Sequence, residues 1–108
     1  MQVTPVGDDL QILLTAGIVH IGAVALAMPC PPTNEGVTAS VSVLTVPGHR
    51  DDIPASRVAL AICKVVGRPI AVSAGLHLDG ASKEEINILL KNSETLVQNF
   101  LIALQERK

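Results

Sequence analysis

The chain has no tryptophan and no tyrosine, and its one phenylalanine is Phe100. Aromatic platforms for stacking bases are therefore missing. Positive charge is scarce too: eight Lys and Arg stand against ten Asp and Glu, a formal net charge of −2. That removes the basic footprint of a nucleic-acid binder. No apolar run approaches the ~18–20 residues that span a bilayer. The longest, residues 18–28, is broken by His20 and Gly22. No basic start precedes an apolar stretch at the N-terminus, so no signal peptide is expected. There are two cysteines, Cys30 and Cys63, and no C-x-x-C motif. They read as reduced thiols of a cytoplasmic protein. Nucleotide-loop signatures and a G-x-S-x-G nucleophile elbow are absent as well.

Aliphatic residues take up the room. Hydrophobic residues make up 48% of the sequence and charged ones 17%, with a mean hydropathy of +0.45. So small a domain hides only part of that surface by itself, and a homodimer is expected. The length of 108 residues fits a single domain spanning 1–108, long enough to bury a core.

Periodicity places strands at residues 9–15 and 18–27, joined as a hairpin by the Ala16-Gly17 turn, with Gly22 marking a bulge or a close backbone approach in the second. Residues 28–36 carry three prolines and read as a loop. Residues 37–46 alternate clearly and form a third strand. Asp52 is a candidate N-cap for a helix with Pro54 in its first turn, the apolar face Val58, Ala61, Ile62 and Val65, and a stop at Gly67. A fourth strand spans residues 69–74. Ser82 and Glu85 make a capping box ahead of a last helix. Its apolar stripe is Ile86, Leu89, Leu90, Val97, Phe100, Leu101 and Leu104, and Asn92-Ser93 is a point of interruption. The expected fold is α/β (α+β): a single mixed sheet, order β-β-β-α-β-α, with helices packed on it.

One pattern carries chemistry. His-x-Asp occurs twice, as His49-Arg50-Asp51 and His77-Leu78-Asp79, each time where a strand hands over to a helix. If the second strand pairs antiparallel with the third, and the fourth runs parallel to the third, both loops and His20 share one edge of the sheet. His20, His49, Arg50, Asp51, His77 and Asp79 are then the candidate cofactor-binding residues. Arg50 and two helix N-termini favour an anion, and histidine adds a donor or acceptor that switches near neutral pH. Zinc or iron is the alternative ligand. The residues lack the H-x-x-x-H spacing that places two ligands on one helix face, and Arg50 repels a cation, so no metal site is expected. Capping explains the aspartates without any ligand but leaves the matched histidines unexplained. Acid–base catalysis by His49 or His77 with a neighbouring Asp is a further alternative. So is an assembly module whose loops are purely structural.

Three blocks of sequence resemble a known family. They are His20-Ile21-Gly22-Ala23-Val24-Ala25, then Pro47-Gly48-His49-Arg50-Asp51-Asp52, then Ala74-Gly75-Leu76-His77-Leu78-Asp79 followed by Ala81-Ser82-Lys83-Glu84-Glu85-Ile86. The chain is similar to the prenylated-flavin chaperone family, the LpdD-like domain, over most of its length from about Asp9 to the last helix. The resemblance implies a fold similar to the small proteasome assembly chaperones, which tend to dimerise. It also implies a non-enzymatic accessory role, with prenylated FMN or FMN as the cofactor and a UbiD-type aromatic-acid decarboxylase as the partner. A flavin's phosphate suits a helix N-terminus, and its ring suits aliphatic walls. Only Phe100 is present for aromatic stacking on that ring.

Overall fold

A computed structural model describes residues 1–33, 36–48, 50–77, 80 and 82–106. Among them the chain forms strands β1 (Gln2–Val6), β2 (Asp9–Gly17), β3 (Ala23–Thr33) and β4 (Gly36–Thr45), helix α1 (Asp52–Val66), strand β5 (Ile70–His77) and helix α2 (Lys83–Glu106). The five strands make one mixed sheet in the order β1-β2-β5-β3-β4. The fold class is the expected one, with a strand more at the N-terminus than the periodicity indicated.

That extra strand is short and lies at the sheet edge, where Pro5 costs no ladder bond. Val6 and Asp9 close the β1–β2 hairpin around Gly7-Asp8. Gly7, at φ 61°, takes the first turn position, where a Cβ would be strained.

The expected hairpin of the second and third elements of this sheet does not form. β2 pairs in parallel with β5, and β3 pairs antiparallel with the other side of β5. Residues 18–22 make no tight turn. They pass over the end of β5, where Ile18 N–H donates to the His77 carbonyl (3.0 Å) and Gly22 N–H to that of Ala74 (2.8 Å). Backbone bonds to β5 thus replace the turn that Ala16-Gly17 suggested, and β3 begins at Ala23 rather than Ile18. In the same way β4 and β5 run parallel, but β3 lies between them.

The proline-rich stretch also departs from its reading as a loop. β3 continues through it to Thr33, with Pro29 opposite Ala39 and Cys30 opposite Thr38, before the register shifts. Pairing with β5 has stopped at Ala27. Only β4 flanks β3 here, so an absent proline donor faces a free edge.

Both helices cover one face. α1 packs on β3, β4 and β5, and α2 packs on α1. The core joins Ile12, Leu14, Ala25, Ile70 and Val72 of the sheet to Ala55, Val58, Ala59, Ile62 and Cys63 of α1 and to Val97 and Leu101 of α2. Small alanines on β3 let α1 sit close. α1 is rotated from the expected face: Ala59 is buried, whereas Val65 is exposed. Gly67 ends it as expected, with its N–H on the Cys63 carbonyl. α2 runs without a break through Asn92 and Ser93, because the Ser93 hydroxyl bonds back to the Leu89 carbonyl inside the helix (3.0 Å).

Candidate functional site

Strand directions decide which loops meet. β2, β4 and β5 end at one edge of the sheet, and β3 starts there. His20, Arg50, Asp51 and His77 are therefore brought to a single edge. His49 and Asp79 lie outside the described residues.

The centre of this edge is Asp51. It occupies the N-cap position of α1, where its carbonyl accepts the first helical bond from Ala55 N–H (3.1 Å). Its carboxylate does not cap the helix. It reaches across to the sheet, where Oδ1 accepts the backbone N–H of Leu76 (3.1 Å) and Oδ2 lies 3.3 Å from His20 Nε2. Asp51 is only 5% exposed. His20 is fixed from its other nitrogen by the Ile18 carbonyl, 2.8 Å from Nδ1. Its ring meets that of His77 edge to face, with centroids 5.9 Å apart. One buried carboxylate thus ties the 18–22 segment, β5 and the start of α1 together. The expectation that Asp52 caps α1 is corrected: the helix starts at Asp52, so Asp52 falls in the first turn, where its carboxylate pairs with Arg50 at 3.4 Å.

Two glycines make room for this arrangement. A Cβ on Gly22 would collide with the Asp51 carboxylate, and a Cβ on Gly75 with the backbone carbonyl of His20. Gly22 was legible in the sequence as a close approach. Gly75 was not, because nothing local to β5 shows that residues 18–22 cross over it.

The second His-x-Asp loop leads into the expected capping box. Glu85 N–H donates to Ser82 Oγ (3.2 Å), and Ser82 N–H donates back to the Glu85 carboxylate (3.4 Å). This fixes where α2 begins and how it stands over the edge.

Between α1, the end of β5 and the first half of α2 lies a cleft of about 480 Å³. Arg50, Asp51 and His77 supply its polar lining; Ile53, Pro54, Leu76, Ile86, Leu89 and Leu90 supply apolar walls; Gly48 and Gly80 sit at the loops. His20 does not line it but meets Asp51 and His77, which do. The six apolar residues were missed as site residues because they read as ordinary helix and strand positions. Arg50 is largely exposed, and its pairing with Asp52 is a surface contact. Among the described residues, no three His, Cys, Asp or Glu side chains cluster closely enough to hold a metal ion. Cys63 is buried away from the edge. Burial pushes its thiol above the ordinary value, and the Cys30 sulfur pushes it the same way, which makes it a poor nucleophile.

The model of the prenylated flavin chaperone LpdD-like domain matches residues 1–105. The chain belongs to this family. No curated protein matches it. Family membership covers both His-x-Asp loops and both helices, so the cleft lies inside the matched LpdD-like domain. No helix among the described residues is long and apolar enough to cross a membrane.

Proposed function

We propose that this LpdD-like domain holds prenylated FMN, or FMN itself, in the cleft over β5 and delivers it to a UbiD-type decarboxylase without carrying out chemistry on it. In this reading it works in the cytoplasm as a homodimer. The observation that carries the proposal is the lining of the cleft, which sets Arg50 and His77 against a wall of six apolar side chains in one space of about 480 Å³. That size is within the ~300–1,000 Å³ range of small-molecule sites. A flavin is built the same way, with an anionic phosphate at one end and an apolar ring system at the other.

The residues present fit that group. Arg50 and the first-turn N–H groups of α1 would take the phosphate. Leu76, Ile86, Leu89 and Leu90 would cover the ring and its prenyl extension. The bound group would supply all the redox and carbon chemistry. Asp51 opposes an anion in this place, but its oxygens face Leu76 N–H and His20. Asp52 also competes for Arg50, at an exposed pair worth ~0–1 kcal/mol. A phosphate carrying up to two charges outcompetes it. His49 and Asp79 stay in the proposal as residues of the same two loops. The acid–base alternative, His49 or His77 with a neighbouring Asp, is less well supported, since the Asp51 carboxylate already accepts the Leu76 N–H and faces His20.

The test is titration with FMN and with prenylated FMN, followed by flavin fluorescence. FMN should bind, and riboflavin, which lacks the phosphate, should bind more weakly. Arg50→Ala should weaken FMN about tenfold, the ~1.4 kcal/mol of one charge-assisted contact. Loaded protein should transfer its flavin to the apo-decarboxylase. Absence of FMN binding at millimolar concentration, or binding indifferent to Arg50→Ala and to the phosphate, refutes the site.

A further inference from the structure

Both helices lie on one face of the sheet, and the opposite face is open except at Gly75, where residues 18–22 cross it. The strand register gives its side chains in rows. Leu13, Ser73, Val24 and Leu44 form one row across β2, β5, β3 and β4, and Gln11, Ala71, Leu26 and Ser42 form the next. The apolar members are exposed, Leu44 by 79%, Met28 by 51% and Leu26 by 44%. Among the described residues, the only Asp, Glu, Lys or Arg on this face is Asp9, at the end away from the cleft, where Arg68 pairs with it at 3.2 Å.

We infer that this open face is where a second copy of the chain docks, sheet against sheet. The inference rests on the dimer of the reading above but not on its flavin. Size is the first argument. Five strands at ~4.8 Å spacing are about 24 Å across, and an eight-residue central strand is about 26 Å long. That projects to about 600 Å², and side-chain relief brings the accessible area near the ~800 Å² per partner of a standard stable interface. Shape is the second. β5 is the middle strand, and its uncovered outward residues Ala71 and Ser73 are small. They form a trough beside the ridge of Val24, Leu26 and Met28 on β3. A two-fold axis lays each ridge in the other copy's trough, which closes the assembly at two chains. Aligned sheets packed ~10 Å apart are an ordinary solution for such faces.

The competing mode is pairing along the edge of β4, an outer strand. It satisfies backbone groups that water already satisfies and leaves the apolar face wet. The two modes are separable, because Leu26 sits on β3, one strand in from that edge.

Sedimentation equilibrium of the full chain from 1 to 300 µM tests the inference, with far-UV circular dichroism to verify folding. Wild type should be a dimer. Leu26→Lys should weaken it at least a hundredfold, and Leu13→Lys, from the other side of the trough, should do likewise if the first variant folds poorly. Ile102→Lys, at an exposed position on α2, should leave it intact. A wild-type monomer at 300 µM refutes self-pairing and gives the face to a different protein. Folded Leu26→Lys and Leu13→Lys proteins that dimerise like wild type overturn the face and leave edge pairing in its place. FMN titration is scored separately, so loss of the flavin reading does not decide this one.

Discussion

Replacing Asp51 should unfasten the site edge from the helix. Its carboxylate accepts Leu76 N–H and faces His20, and neither contact involves the first turn of α1. Asp51→Ala removes a charge-assisted bond, worth ~1.5–3 kcal/mol, and leaves a part-buried N–H without its acceptor. Water entering the space left by the side chain recovers some of this. The expected loss is about 2 kcal/mol, a large fraction of the ~5–15 kcal/mol that holds a domain folded. In a chain of this size that is a fall of about 10 °C in Tm. Urea unfolding should show a lower midpoint with an unchanged slope. Serine makes the comparison sharp. It is a good N-cap but too short to reach Leu76, so Asp51→Ser should be nearly as unstable as Asp51→Ala. Asp51→Asn retains a neutral acceptor of the same length and should recover more than half of the loss. If Asp51→Ser matches wild type within about 0.5 kcal/mol, the residue is a helix cap and the cross-link argument fails.

Gly75→Ala should destabilise the fold by about 1–3 kcal/mol through overpacking, since the new methyl meets backbone of His20 and not a yielding side chain. Urea denaturation checks this, and a variant as stable as wild type would show that residues 18–22 do not cross so closely. Ser82→Ala should cost about 1 kcal/mol from loss of the capping box and should loosen the start of α2, read as faster amide exchange at residues 83–86. Cys63 should resist a thiol reagent in the native protein and react only on unfolding, while the half-buried Cys30 reacts in the native state. Its pKa is raised in the fold, so its stabilising contribution is complete below the ordinary thiol range and falls as pH rises through the folded value. Cys63→Ser should flatten that alkaline loss in a pH series of melting curves.

Much of this protein was written locally. The Ser82–Glu85 box, the stop at Gly67 and the alternation in β4 depend on residues a few positions apart, and each kept its place in the structure. The two His-x-Asp loops are local strings of the same kind. The family resemblance was legible for the same reason, because its three blocks are local strings around those loops. Gly22 announced a close approach without naming the group that approaches. Partnership across the sheet was not local. Ala16-Gly17 looked like a hairpin turn, and only the insertion of β5 between β2 and β3 turned residues 18–22 into a crossing segment. That insertion gave Gly75 its neighbour, carried Asp51 to Leu76 and His20, and left the prolines of β3 at a free edge, where a strand tolerates them. The cleft is of the same kind. Leu76, Leu89 and Leu90 are unremarkable positions on a strand and a helix until packing sets them around one space with Arg50. Short-range hydrogen bonding and side-chain spacing fixed the elements, but strand order is a choice among long-range pairings of nearly equal local cost, and burial of the whole sheet against α1 and α2 decides it.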